Sequence, residues 1–212
     1  MGLSLLAATI VLATAKRYEA PTDAGTLPPR AAAAAPAQPD LQGRPRALAR
    51  TKPPAPAVVQ VPTVPVRLRI PVLGVRAPIV AVRASGDGAL AVPGNPRDVG
   101  WWTGGAAPGD PQGTVVLDGH VDTAQSGAGA LFRLADLPPG AEVVVTTSIG
   151  DTRYRVDARR VYAKATLPPQ IFNANGLPRL VLVTCGGPFD AKTLHYADNV
   201  VVFATPLPRK EP

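Results

Sequence analysis

The chain has 212 residues, 26 prolines, a formal net charge of +7, two histidines and one cysteine. A single cysteine excludes an intrachain disulfide framework and a C-x-x-C redox pair. The basic balance either draws the chain to anionic lipid head groups or acidic wall polymers or only keeps a linker solvated; nucleic acid is not expected, because no aromatic is interleaved with the charges from Arg30 to Lys52 and no groove-reading motif is present.

In chain order, residues 1–15, "MGLSLLAATIVLATA", come first, apolar and uncharged, with Lys16 and Arg17 behind them. The run is short for a spanning helix, which needs about 20 apolar residues. A secretory signal would begin with a basic stretch, and none precedes it, although "ATA" resembles a small-residue cleavage site. Lys16 and Arg17 belong on the cytoplasmic side by the positive-inside rule, against export of the downstream domain. A basic stretch upstream of Met1 would reconcile the two. The expectation is an anchor or signal remnant that exports the domain; the alternative is a buried core helix.

Residues 16–65 are rich in Pro, Ala and Arg and hold almost no aromatics. Such a segment cannot build a core and is expected to be a disordered linker, held extended by its X-Pro bonds. From residue 66 the chain turns Val-rich and alternating. One domain is expected over 66–206, with a tail at 207–212.

Within the domain, strands are predicted where apolar alternation or short apolar runs lie between Gly and Pro turns. They are Val66–Ile70, Ile79–Arg83, Ala89–Val92, Thr114–Leu117, Glu142–Thr147, Arg153–Val161, Leu180–Thr184 and Asn199–Ala204. Ala130–Leu137 alone reads as a short helix. Eight short strands with so little helix predict an all-β fold, a closed eight-stranded barrel with one or two short helices. Closure removes the edges that so many Val-rich strands would expose.

Two stretches stand out chemically. "LVLVTCGG" runs a buried strand into Cys185 and two glycines, and "TVVLDGH" runs another into Gly119 and His120. If these strands are parallel neighbours, both side chains meet at one rim of the barrel. A cysteine and a histidine in reach of each other make a nucleophile and its acid–base partner. The bland alternatives are a small hydrophobe ending a core strand and a satisfied buried histidine. His195 reads as a solvated loop residue. A developing oxyanion would need a donor, and the Gly186 N–H or the Asn199 amide is placed to supply one. Asp118 and Asp122 flank His120 and either could orient the ring, or both could serve only turns. Trp101 and Trp102 read as packing residues. No carboxylate cluster has a calcium-loop pattern.

"LVTCGG", "LDGHVDT" and "HYADNVVVFA" resemble the sortases, cysteine transpeptidases of Gram-positive bacteria, across about residues 66–206. "RLRIPVLGVRAPIV", "VPGNPRDVGWW" and "GGPFD" are most similar to the actinobacterial class F group. The resemblance implies an eight-stranded barrel, a membrane-anchored enzyme outside the cytoplasm acting as a monomer, and no cofactor or metal in the chemistry. It implies that Cys185 attacks the Thr–Gly bond of an LPxTG-like sorting signal on partner proteins. His120 would protonate the leaving amine, and a peptidoglycan-precursor amine would resolve the thioester. Thr184, preceding the cysteine, would help bind substrate. Most sortases carry an arginine at the start of the last strand; here that alignment places Asn199. Either Asn199 supplies the third catalytic function as a neutral donor, or an arginine elsewhere does (Arg133, or one in Arg153–Arg160), or activity is reduced. Two other readings stay open: a cysteine endopeptidase using water, and a catalytically silent barrel that binds wall polymer.

Overall fold

The computed structural model describes residues 20–28, 63–84 and 90–208. The expected anchor over 1–15 and most of the linker lie outside them. Eleven strands are present: β1 (Ala24–Gly25), β2 (Pro65–Ile70), β3 (Val75–Val82), β4 (Val99–Trp102), β5 (Thr114–Gly119), β6 (Asp122–Thr123), β7 (Gly127–Ala128), β8 (Glu142–Thr147), β9 (Gly150–Ala163), β10 (Arg179–Asp190) and β11 (His195–Pro206). The order β2–β3–β4–β5–β10–β11–β9–β8, with β8 pairing back onto β2, closes an eight-stranded barrel. The barrel expected from the strand pattern is the one observed. The pairs β3/β4 and β5/β10 are parallel; the rest of the barrel is antiparallel.

Alternation decides which residues fill the barrel. Leu68 and Ile70 of β2 point inward beside the outward Arg67 and Arg69, and Val143 and Val145 of β8 also face the interior. In β5 and β10 the run is continuous because both faces are covered. Val115, Leu117, Leu180 and Leu182 face the barrel interior. Val116, Val181 and Val183 face outward, with Val201 and Phe203 of β11, beneath Ile171. The β9–β10 connection brings Leu167, Ile171 and Phe172 onto this outer face. Burying one such side chain is worth about 1.5–3 kcal/mol.

Three expectations change. The helix over Ala130–Leu137 is only one 3-10 turn, Leu134–Asp136. Leu131, Leu134 and Leu137 are all fully buried, a spacing of three that suits tight turns, and Pro138 and Pro139 block propagation. The strand over Ala89–Val92 is reduced, among the described residues, to an isolated bridge between Leu90 and Ala84. The eighth barrel strand is β4 instead. Gly100 interrupts its apolar pattern for a steric reason: a Cβ there would lie 2.2 Å from Asp118 Oδ1 on β5.

The third change concerns the linker. Residues 20–28, expected within the disordered lead, lie along β9. The second half of β9 has one edge that β8 does not reach, and β1 pairs there with Ala158 and Arg159. Arg159 Nε donates to Thr22 O at 3.1 Å. Arg160 donates to Ala24 O at 2.8 Å and Gly25 O at 3.0 Å, with Asp23 3.7 Å away. The Val161 N–H donates to Asp23 Oδ1 at 2.9 Å. An unpaired strand edge and two guanidinium groups thus give a proline-rich segment the partners it cannot supply itself. Arg160→Ala is expected to cost about 1–2 kcal/mol. Urea unfolding measures the loss, and hydrogen exchange should report it first in residues 20–28.

Candidate active site

The parallel pairing of β5 and β10 builds the site. Thr184 lies opposite Gly119, the last residue of β5. Cys185 and His120 each come one residue later. Strand alternation puts both on the outer face, since Val181 and Val183 share the parity of Cys185, and Val116 that of His120. On the other side of β10, Asn199 of β11 pairs with Cys185, and Tyr162 of β9 pairs with Asn199. Cys185, Asn199 and Tyr162 therefore form one row across three strands. Cys185, His120 and Asn199 are all half-buried, open enough to meet a substrate.

Cys185 is not at the end of its strand. β10 runs on to Asp190, and the register with β11 shifts between Gly186 and Phe189. Gly187, at φ 77°, accommodates the bulge, and a Cβ there would lie 2.1 Å from Asp198 Oδ2. What ends at this level is β5, so the thiol faces the space where its parallel neighbour stops.

His120 Nε2 lies 2.9 Å from Pro93 O. A carbonyl only accepts, so Nε2 carries the hydrogen and Nδ1 holds the lone pair of the neutral ring. Thr184 is buried on the interior side, and its hydroxyl donates to Gly119 O at 2.8 Å. That bond ties the cysteine strand to the histidine strand one residue before each functional side chain. Asp122 accepts from Tyr196 Oη at 2.7 Å, and Tyr196 packs on Phe189. The loop after His120 is thereby fastened to the β10–β11 hairpin. Asp118 lies on the outer side of β5, between Gly100 and Val183. It is 3 % exposed, its carboxyl oxygens have no hydrogen-bond partner among the described residues, and burial pushes its pKa up to about 7.

Of the arginines considered for the third function, four are engaged elsewhere, and Arg155 is exposed on β9, opposite Glu142 and Thr205 in register. Arg133 pairs with Asp136 and Arg153 with Glu142. Arg159 and Arg160 hold residues 20–28. Of these, Arg160 stands closest in register, opposite Val201 and one diagonal step from Asn199. Trp101 packs into the barrel core, and Trp102 meets Phe172 edge-on across the outer face. His195 is exposed at the start of β11. Among the described residues no three His, Cys, Asp or Glu side chains are grouped as metal ligands.

The family model for the Sortase domain matches residues 68–207. The chain belongs to the sortase family. No curated protein matches it. Among solved structures, this sortase is similar to Streptococcus agalactiae sortase C1 in complex with MTSET, with a TM-score of 0.54 and 22% identity over 69% of this chain and 70% of that one. It is also similar to the pilus island 1 sortase C2 of group B Streptococcus (TM-score 0.53, 22% identity, 68% and 73% covered). A lid mutant of sortase A from Corynebacterium diphtheriae gives a TM-score of 0.53 and 20% identity over 69% and 72%. At these identities the likeness is one of fold. Sequence reasoning missed the Pro93 carbonyl, because backbone groups leave no signature. It also missed the Tyr162 row, which needs the strand order.

Proposed function

We propose that this sortase is a cysteine transpeptidase that cleaves an LPxTG-like sorting signal and passes the acyl group to a peptidoglycan-precursor amine. One observation carries the reading: the parallel register of β5 and β10 puts His120 and Cys185 at one level on one face. The thiol gives its proton to His120 Nδ1 and the thiolate attacks the Thr carbonyl carbon. The C–N bond then breaks as the imidazolium returns that proton to the leaving Gly amine. The acceptor amine attacks the thioester, His120 takes its proton, and the thiolate departs. Asn199, paired with Cys185, donates its amide to the oxyanion together with the Gly186 N–H. Leu90, Trp102 and Leu167, packed on the outer face, form an apolar wall for the leucine and proline of the signal. Thr184 serves by holding the two strands together rather than by touching the peptide.

The class F motifs support an actinobacterial enzyme of that group. Residues 1–15 support a protein anchored at its N-terminus on the outer face of the membrane. The test is intact-mass spectrometry of the full chain with an LPxTG peptide and triglycine. A mass gain equal to the acyl fragment, passed on to the amine, supports transpeptidation. Passage to water instead makes the protein an endopeptidase, and a folded protein with no adduct and no cleavage removes the reading. Asn199→Ala is expected to lower kcat/KM about 10- to 100-fold, mostly in kcat, as steady-state peptide cleavage will measure.

A further inference from the structure

Among the described residues, Asp118 is the one buried carboxylate that the transpeptidation chemistry leaves unused. It lies two residues before His120 on the same face of β5, so their Cα atoms are about 6.6 Å apart along the strand. The fold makes room for it: Gly100 on β4 has no side chain where Asp118 Oδ1 sits, and Val82 of β3 closes that space. A carboxyl only 3 % exposed among apolar neighbours, with neither oxygen hydrogen-bonded among the described residues, gains nothing structurally from being an aspartate. A valine would fill the same space more favourably.

The elements packed against it bring almost no other charge. β4 offers Gly100 and β10 offers Val183 as its cross-strand partners. The 90–93 segment brings Leu90 and the Pro93 carbonyl that holds His120. Asp98, further along that segment, accepts from Asn95 Nδ2, and its carbonyl lies on the interior side of Gly119. The titratable groups left to face Asp118 among the described residues are His120, next on its own strand, and Cys185, one diagonal step across β10.

We propose that Asp118 is a positioning residue for the reaction: a buried counter-charge that ionises as His120 becomes imidazolium and holds the ring in that state. The pair is then neutral in both forms, as acid plus imidazole or as carboxylate plus imidazolium. During the reaction the ring takes its proton from the thiol, in the absence of substrate it takes it from solvent, and in both cases the carboxyl releases its own to solvent. Burial that keeps the carboxyl protonated until about neutrality is what such a pair needs. The inference deepens the proposed mechanism and rests on His120 acting as its acid.

The test is NMR titration of the full chain without substrate, with His195→Gln to assign the two imidazoles. Asp118→Asn is expected to move the His120 midpoint to lower pH by about one unit. In the reciprocal measurement, His120→Gln is expected to raise the midpoint of the 13C-labelled Asp118 carboxyl by a matching amount, since the coupling is mutual. If Asp118→Asn does not fold, the reciprocal shift decides. With an active enzyme, the alkaline limb of the kcat/KM profile moves down in Asp118→Asn by the same step. Unmoved midpoints, or activity lost evenly at every pH, overturn the proposal. Moved midpoints with no peptide transfer leave the pair standing and overturn the transpeptidase reading instead.

Discussion

Replacing Cys185 by alanine is expected to abolish acyl-enzyme formation and to lower peptide cleavage by at least about 1,000-fold. The size reflects the chemistry: without sulfur no thioester exists, and the remaining groups can only bind and polarise the carbonyl. The chain has no second cysteine to substitute for it. The fold should tolerate the change, because the side chain is half-buried beyond the continuous core of β10. Intact-mass spectrometry should therefore show a folded protein with no adduct. A small alkylating reagent should label the wild type once and the variant not at all. An adduct on Cys185→Ala would move the nucleophile to another residue, and an unreactive wild-type thiol would favour a silent barrel.

The second large effect is on stability against pH. Asp118 is held protonated up to about pH 7 in the fold, against 3.8 for an ordinary aspartate. Below pH 3.8 folded and unfolded chains both carry the proton, and the group contributes no pH dependence. Between about 4 and 7 the unfolded chain ionises while the folded one does not, so stability falls as pH rises. Above 7 the full difference is reached, about 4 kcal/mol as an upper bound. Urea unfolding at about pH 5 and pH 8 should show the protein more stable at the lower pH, opposite to the usual behaviour of a paired carboxylate. Asp118→Ala should flatten that slope. A slope that is the same in both proteins would mean the carboxyl titrates normally.

The barrel was legible because most of its strands carry their pattern locally. β2 and β9 alternate, β8 is a short valine run behind a Pro-Pro-Gly turn, and β5 and β10 are apolar runs bounded by glycine. The placing of Cys185 and His120 at one level was legible for the same reason: each comes after an apolar run and stands beside glycine, and the strands that carry them pair in parallel. β4 was hidden because it is four residues long and broken by Gly100, whose role depends on an aspartate in the next strand. The turn over Leu134–Asp136 misled because a spacing of three fits helix and 3-10 turn alike. Residues 20–28 were read as linker because their partners, Arg159 and Arg160, are remote in the chain and composition carries no trace of them. Whether an arginine aids Asn199 depended on what else holds each guanidinium, which only the fold reveals.

The docking of residues 20–28 limits how far the sortase domain could reach from an N-terminal tether. Pro21 Cγ lies 3.8 Å from where a Cβ on Gly186 would be, so the docked segment begins at the cysteine end of the barrel. A tether running from residue 16 to β2 could extend about 170 Å. One pinned at Ala20 spans only residues 16–19, about 14 Å at full stretch. If residues 1–15 hold the membrane, the face that carries Cys185 is kept close beside the lipid, because only residues 16–19 separate the anchor from the docked segment. A single proteolytic cut between residues 28 and 63 would leave the barrel held only by the β1–β9 pairing and the Arg159 and Arg160 contacts, and would release it once those let go.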